Sequence, residues 1–198
     1  MRFWLGLLTL LLLLSSCFVS SSLVFTEADI ENSMNLVHNP SFAPYSLRGE
    51  EALKGWNVII EPHSNDFNKI LIDNKVYLDG NTSLRIDASD KDVMIISEPF
   101  EVRRYGGYYA RIKARTDSEE APQINLRMIT FKEQGKITNR FQHKTTVGKE
   151  WELISTSAGF LRPGVSFGRV FIHIPPFSEG SIWLDDAGCW EVHGFRID

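Results

Sequence analysis

Over residues 108–115 apolar and polar side chains alternate one for one: Tyr108, Ala110, Ile112 and Ala114 fall on one side, Tyr109, Arg111, Lys113 and Arg115 on the other. Successive side chains of a strand point to opposite faces of its sheet, so this segment is a strand with one face in a core. The same period runs through 124–131, with Ile124, Leu126 and Met128 inward and Asn125, Arg127 and Ile129 outward. It returns in 169–174, with Val170, Ile172 and Ile174 inward and Arg169, Phe171 and His173 outward. No helical period of comparable length follows Asn35. Shorter strands are expected at 56–61, 69–77, 83–87, 93–100, 141–147, 151–156 and 181–185, separated by turn chemistry such as Asp79-Gly80-Asn81, Gly106-Gly107, Gln134-Gly135 and Pro163-Gly164. The fold class expected is all-β, a two-sheet antiparallel β-sandwich.

The other end of the chain obeys a different rule. Arg2 precedes the apolar run FWLGLLTLLLLL over 3–14, and Ser15, Ser16 and Ser20 to Ser22 follow it. A spanning helix needs about 20 apolar residues, so this shorter run reads as a signal peptide over 1–16 and the protein as exported. Cys17 comes directly after Leu14-Ser15-Ser16, and Leu-Ser-Ser-Cys resembles the bacterial lipobox, whose cysteine becomes acylated and N-terminal. Two or three acyl chains hold a protein stably on a bilayer where one does not. Cleavage nearer Ser20 to Ser22, or a disulfide from Cys17 to Cys189, are the other readings of this cysteine. Phe18 and Val19 stand where an aspartate would retain a lipoprotein at the inner membrane, which in a Gram-negative cell implies the outer one. Residues 17–34, Ser-rich and then acidic, read as a tether, and 35–198 as one domain.

The net charge is −4 and Lys and Arg are interleaved with acids, so a nucleic-acid partner is not expected. With two cysteines a disulfide framework is excluded, and a domain of this length buries a full core without one. The five histidines lack metal-ligand spacing. Glu27-Ala28-Asp29-Ile30-Glu31 resembles the Glu-x-Asp-x-Glu string of laminarinase-like glycosidases. It lies in the tether, however, rather than on a strand lining a cleft, and the chain is expected not to be an enzyme.

Several landmarks occur in order: Asn35-Leu36-Val37-His38-Asn39-Pro40-Ser41-Phe42, Gly55-Trp56, Tyr77-Leu78-Asp79-Gly80 with Ser83-Leu84, 108–114, Trp151, and Ile182-Trp183-Leu184-Asp185-Asp186. Through them, over 35–193, the chain resembles CenC-type carbohydrate-binding modules, which are galactose-binding-like jelly rolls. The resemblance implies a jelly-roll sandwich and a polysaccharide ligand, without establishing the ligand. It also implies a structural calcium ion, held in part by Asp185 and Asp186. The family's first motif commonly continues with Glu after Phe; here Ala43 takes that place, and one charged ligand fewer weakens a site that wants six to eight oxygens.

Two functions are weighed: a lipid-anchored module holding a polysaccharide at the cell envelope, and a structural or protein-interaction jelly roll with an envelope protein partner. Sugars stack on rings and bond planar polar groups. The outward residues Tyr109, Arg111, Asn125, Arg127, Arg169, Phe171 and His173, with Trp56 and Tyr77 near loops, are therefore the expected ligand-binding set. Should they share one sheet, the arginines would suit an acidic polysaccharide. Trp151 and Trp183 are expected to pack, and Trp190 to cover a sheet edge.

Overall fold

The computed structural model describes residues 24–47, 50–61 and 67–193; Cys17 and the apolar run lie outside the described residues. In chain order the strands are β1 (Pro44–Leu47), β2 (Glu50–Leu53), β3 (Trp56–Glu61), β4 (Ile70–Asp73), β5 (Ser83–Ser89), β6 (Asp92–Ser97), β7 (Phe100–Glu101), β8 (Gly107–Thr116), β9 (Gln123–Phe131), β10 (Ile137–Thr146), β11 (Glu152–Ala158), β12 (Phe167–Ile174) and β13 (Phe177–Val192). A six-stranded sheet runs β10-β9-β12-β6-β3, with β7 also paired to β12, and a five-stranded sheet runs β11-β8-β13-β5-β4. Both are antiparallel, and β1 and β2 form a separate ribbon. The expected two-sheet sandwich is what the residues build.

Alternation explains the core. Ala110, Ile112 and Ala114 of β8 meet Ile124, Leu126 and Met128 of β9 and Val170, Ile172 and Ile174 of β12 in one cluster, nearly all without exposed surface. Cys189 is a free thiol in the same core, with its Sγ 4.0 Å from Met128 Sδ, and burial pushes that thiol well above its ordinary range. Tyr108 is buried too. Its hydroxyl accepts the Arg103 amide at 2.7 Å, and burial raises its pKa to about 12.

β13 is far longer than the strand expected at 181–185. It continues to Val192 through a bulge, because Asp185 lies opposite Lys113 and Gly188 opposite Arg111, leaving Asp186 and Ala187 across from a single residue of β8. Asp186 takes φ +50° there, which turns its carboxylate toward β8. The bulge shifts the alternation by one residue: Ile182 and Leu184 point inward before it, and Cys189 points inward and Trp190 outward after it. A Cβ on Gly188 would collide with the Trp190 ring, so the position admits glycine alone without a shift.

Residues 24–34, expected to be a tether, belong to the fold. Thr26 and Asp29 cap each other at a single 3-10 turn, Glu27–Ile30, with the Thr26 amide and hydroxyl donating to Asp29 Oδ2 at 2.7 and 2.8 Å. These bonds, led by the one from the backbone amide, hold the Asp29 carboxyl below its usual range. Phe25 and Ile30 bury themselves on the outer face of the five-stranded sheet against Tyr109, Trp190 and Val192. The Phe25 amide donates to Ser157 Oγ at 2.7 Å, and Gly107 leaves the room its ring needs. Deleting most of a buried phenylalanine typically costs 3–5 kcal/mol. Phe25→Ala should therefore lower unfolding stability by about 3 kcal/mol in urea denaturation, whereas a free tether would leave it unchanged.

Candidate functional site

Outward residues of the six-stranded sheet fall into rows because β9, β10, β12, β6 and β3 are in register. One row reads Gln142, Arg127, Phe171, Ile96 and Asn57; the next reads Lys144, Asn125, His173, Met94 and Ile59. On the other side of Arg127, Arg140, Ile129 and Arg169 lie side by side, and beyond them Phe131 faces Phe167. The Phe131 and Phe167 rings stack with centroids 5.0 Å apart and 12° between planes, and Phe171 lies 6.3 Å from Phe131 at 36°. All three rings are half-buried on the outer face of this sheet, and Leu53, Lys54 and Gly55 border that face beside Arg169.

A chain of hydrogen bonds runs beside them across three strands. Arg127 Nη2 lies 3.1 Å from His173 Nδ1, and His173 Nε2 lies 2.6 Å from Asp92 Oδ1. A guanidinium can only donate, so Nδ1 accepts and the proton sits on Nε2, directed at Asp92. Asn125 turns its amide oxygen to Arg127, whose Nε and Nη2 both lie 3.0 Å from it. Arg169 Nη1 donates to the Ser97 carbonyl at 3.1 Å. Planar polar groups held at fixed positions beside a floor of rings are suited to a ligand with both apolar faces and hydroxyls.

Five of the expected residues therefore come together: Asn125, Arg127, Arg169, Phe171 and His173. The expectation of a single platform with Tyr109 and Arg111 is corrected, since β8 belongs to the other sheet. Tyr109, expected at the surface, is 2% exposed beneath Phe25 and Trp190. Alternation placed its side correctly but could not show that the N-terminal segment covers that side. Arg111 bonds both oxygens of Asp186 through Nη2 at 2.9 and 2.8 Å, pairs with Glu27 through Nη1, and lies 4.8 Å over the Trp190 ring. Glu27 and Asp29 thus have structural partners in a 3-10 turn rather than places on a strand. Trp56 is buried at 6%, tilted on Phe42 at 5.0 Å with its indole N–H on the Asn39 carbonyl at 3.0 Å. It is a core residue. Tyr77 is exposed in the loop after β4, which pairs within the five-stranded sheet. Phe131, Phe167, Arg140 and Asp92 were missed, although continuing the period by two residues from Ile129 and from Arg169 reaches both phenylalanines.

The expected metal ligands are occupied by protein donors. Asp185 is fully buried; its Oδ2 accepts the Leu78 and Asp79 amides at 2.7 and 3.0 Å and its Oδ1 accepts the Asp186 amide at 2.7 Å. Burial lifts its carboxyl above the usual range against those three bonds, and neighbouring Asp186 adds to the lift. Asp186 is taken by Arg111 and by Lys113 Nζ at 3.4 Å. Three N–H groups on Asp185 and two basic side chains on Asp186 leave few of the six to eight oxygen positions that calcium wants, so this donor set suits calcium poorly. Trp183 packs as expected: its indole N–H donates to Asp73 Oδ2 at 2.9 Å. Burial works to raise Asp73, but the Trp183 bond and the Lys75 and Val76 amides outweigh it and hold the carboxyl low.

No known protein family matches the chain, and no curated protein sequence matches it. Solved structures do. TmCBM61 in complex with β-1,4-galactotriose superposes with TM-score 0.57 at 11% identity, over 80% of this chain and 99% of that one. A CBM4 module gives 0.54 at 14% identity, over 78% and 99%. The fold is theirs. The enzymatically active domain of bacteriophage CBA120 tailspike protein 4 also shares it, with TM-score 0.62 at 12% identity; the match covers 80% of this chain and 21% of the tailspike chain.

Asp185→Asn keeps one acceptor and turns an NH₂ group toward a buried N–H. It should cost about 2 kcal/mol by urea unfolding, while added calcium or chelator leaves the midpoint of the unmodified protein unchanged. A rise in that midpoint with calcium would show that the carboxylates release their donors.

Proposed function

We propose that this chain is a non-catalytic carbohydrate-binding module of the CenC kind, and that the outer face of the six-stranded sheet is where it holds a polysaccharide. The observation that carries this reading is the ladder of Phe131, Phe167 and Phe171 beside the bonded chain Asn125–Arg127–His173–Asp92. Pyranose rings present C–H faces to aromatic rings and hydroxyls to planar amides, guanidinium groups and imidazoles. The sandwich shared with TmCBM61, which was solved with a galactotriose, supports the ligand class. The fixed polar groups favour a sugar over the protein partner that a purely apolar patch would suit.

An acylated Cys17 would hold the module on a bacterial membrane, consistent with the lipobox-like Leu14-Ser15-Ser16-Cys17 behind the apolar run. Cys17→Ser should move the protein from the membrane to the soluble fraction. An intact mass without acyl groups, for a mature chain beginning near Ser20 to Ser22, would overturn the anchor.

The soluble Cys17→Ser protein, screened by affinity electrophoresis against neutral and acidic polysaccharides, tests the binding face. Phe131→Ala with Phe171→Ala should weaken the best ligand at least about tenfold, as aromatic anchors do, and Tyr109→Phe should not. Silence on every polysaccharide, or full affinity in the double variant, overturns the proposal.

A further inference from the structure

Compensation of charge differs between the two outer faces. On the five-stranded sheet Arg85 pairs with Asp87 at 2.6 Å, Arg111 with Glu27 and Asp186, Lys113 with Asp186, and Arg103 approaches Glu191 at 3.9 Å; Arg115 instead lies 5.8 Å over Trp183. On the six-stranded sheet, Arg127, Arg140, Lys144 and Arg169 have no carboxylate partner among the described residues, although the whole chain is acidic. The bonds Arg127 and Arg169 make go to an imidazole, an amide and a carbonyl, which leave their charge standing.

These cations are also placed in order. Same-face neighbours along a strand lie about 7 Å apart and adjacent strands about 4.8 Å. By register, then, Arg140 and Arg169 flank Ile129 at about 10 Å from one another, and Arg127 sits one row away between them. Phe131 and Phe167 close one side of this triangle and Phe171 extends the other. Arg140 continues the track into an open cleft of 670 Å³ that Lys136 and Arg162 also line. The acids of the same face are Glu61 and Asp92, opposite one another on β3 and β6 with Asp92 occupied by His173, and Glu101 on β7, which borders the aromatic end across from Phe167; Glu98 lines a small cleft with Arg169 but forms no ion pair with it. One half of the sheet is basic with an aromatic floor.

We infer that the ligand of this face is a polyanionic polysaccharide, a polymer whose sugar rings carry carboxylates. Its rings would lie on the phenylalanines while its carboxylates reach Arg140 and Arg169, and the Nη1 group that Arg127 keeps beside its bonds to Asn125 and His173. Guanidinium groups pair with carboxylates through two parallel bonds, and stacking of the sugar face beside them excludes water from those bonds. The inference rests on the binding face proposed above and adds the charge of what it binds.

The test uses the Cys17→Ser protein with polygalacturonate, neutral β-1,4-galactan and duplex DNA as probes. Polygalacturonate should bind at least about tenfold more tightly than galactan, and its affinity should fall steeply between about 50 and 500 mM salt. Arg140→Gln with Arg169→Gln should cost about tenfold or more on polygalacturonate and little on galactan, while Arg85→Gln on the other sheet should change neither. Equal, salt-insensitive affinity for galactan that is still lost in the Phe131→Ala, Phe171→Ala protein would keep the binding face and overturn its acidic specificity. DNA bound as tightly as polygalacturonate would overturn the glycan assignment. Failure of every polysaccharide would overturn both.

Discussion

Much of this sandwich depends on one half-buried side-chain amide. The β13 bulge leaves backbone groups that the neighbouring strands do not pair, and unpaired polar groups in a core are costly. Asn35 meets the need: its Oδ1 accepts the Cys189 and Val37 amides at 3.0 Å each, and its Nδ2 donates to the Ala187 carbonyl at 3.2 Å. Leu36 donates to the Cys189 carbonyl at 2.8 Å and Ala187 to the Pro40 carbonyl at 3.0 Å, lacing residues 35–40 along the bulged strand. With the bulge secured, Asp186 reaches Arg111, Trp190 turns outward over Gly188, and a surface exists on which Phe25 and Ile30 can settle. An aspartate at position 35 would accept the two amides but could not donate to Ala187.

The two sheets then acquire different outer faces for a physical reason. On the five-stranded side the covering segment brings its own acid, Glu27, to Arg111, so apolar burial and charge neutralisation occur together. On the six-stranded side no acid among the described residues pairs with Arg127, Arg140, Lys144 or Arg169. Its rings stack on each other and its polar groups bond to each other, which limits the cost of exposure while leaving an organised surface. Such preorganisation reduces the ordering that a ligand must impose on binding.

Period-two alternation made the fold class and the inner faces of β8, β9 and β12 legible, because burial on one side of a strand is a local property of spacing. Sheet membership was not legible. Tyr109 and Phe171 have the same signature, an outward ring on a strand that also carries arginine, yet strand order put one beneath the N-terminal segment and the other on an open face. β13 beyond residue 185 was hidden by its bulge, which breaks the period at Asp186 and Ala187. The short stretch 24–34 misled through composition, since its acids suggested solvent while Phe25 and Ile30 carried the information that it docks. At Asp185 and Asp186 the residue types suited a cation, while the N–H groups and basic side chains that bond those oxygens are set by tertiary structure and carry no local sequence signal.

Docking of residues 25–30 changes how far and which way the sandwich can move. A cord attached at residue 17 and free to residue 35 would reach about 60 Å, whereas one pinned at Phe25 reaches less than about 30 Å. The pinned end also leaves from the five-stranded side. Any attachment ahead of residue 24 would therefore set bearing as well as position, with the phenylalanine ladder on the opposite face of the sandwich from the docked segment.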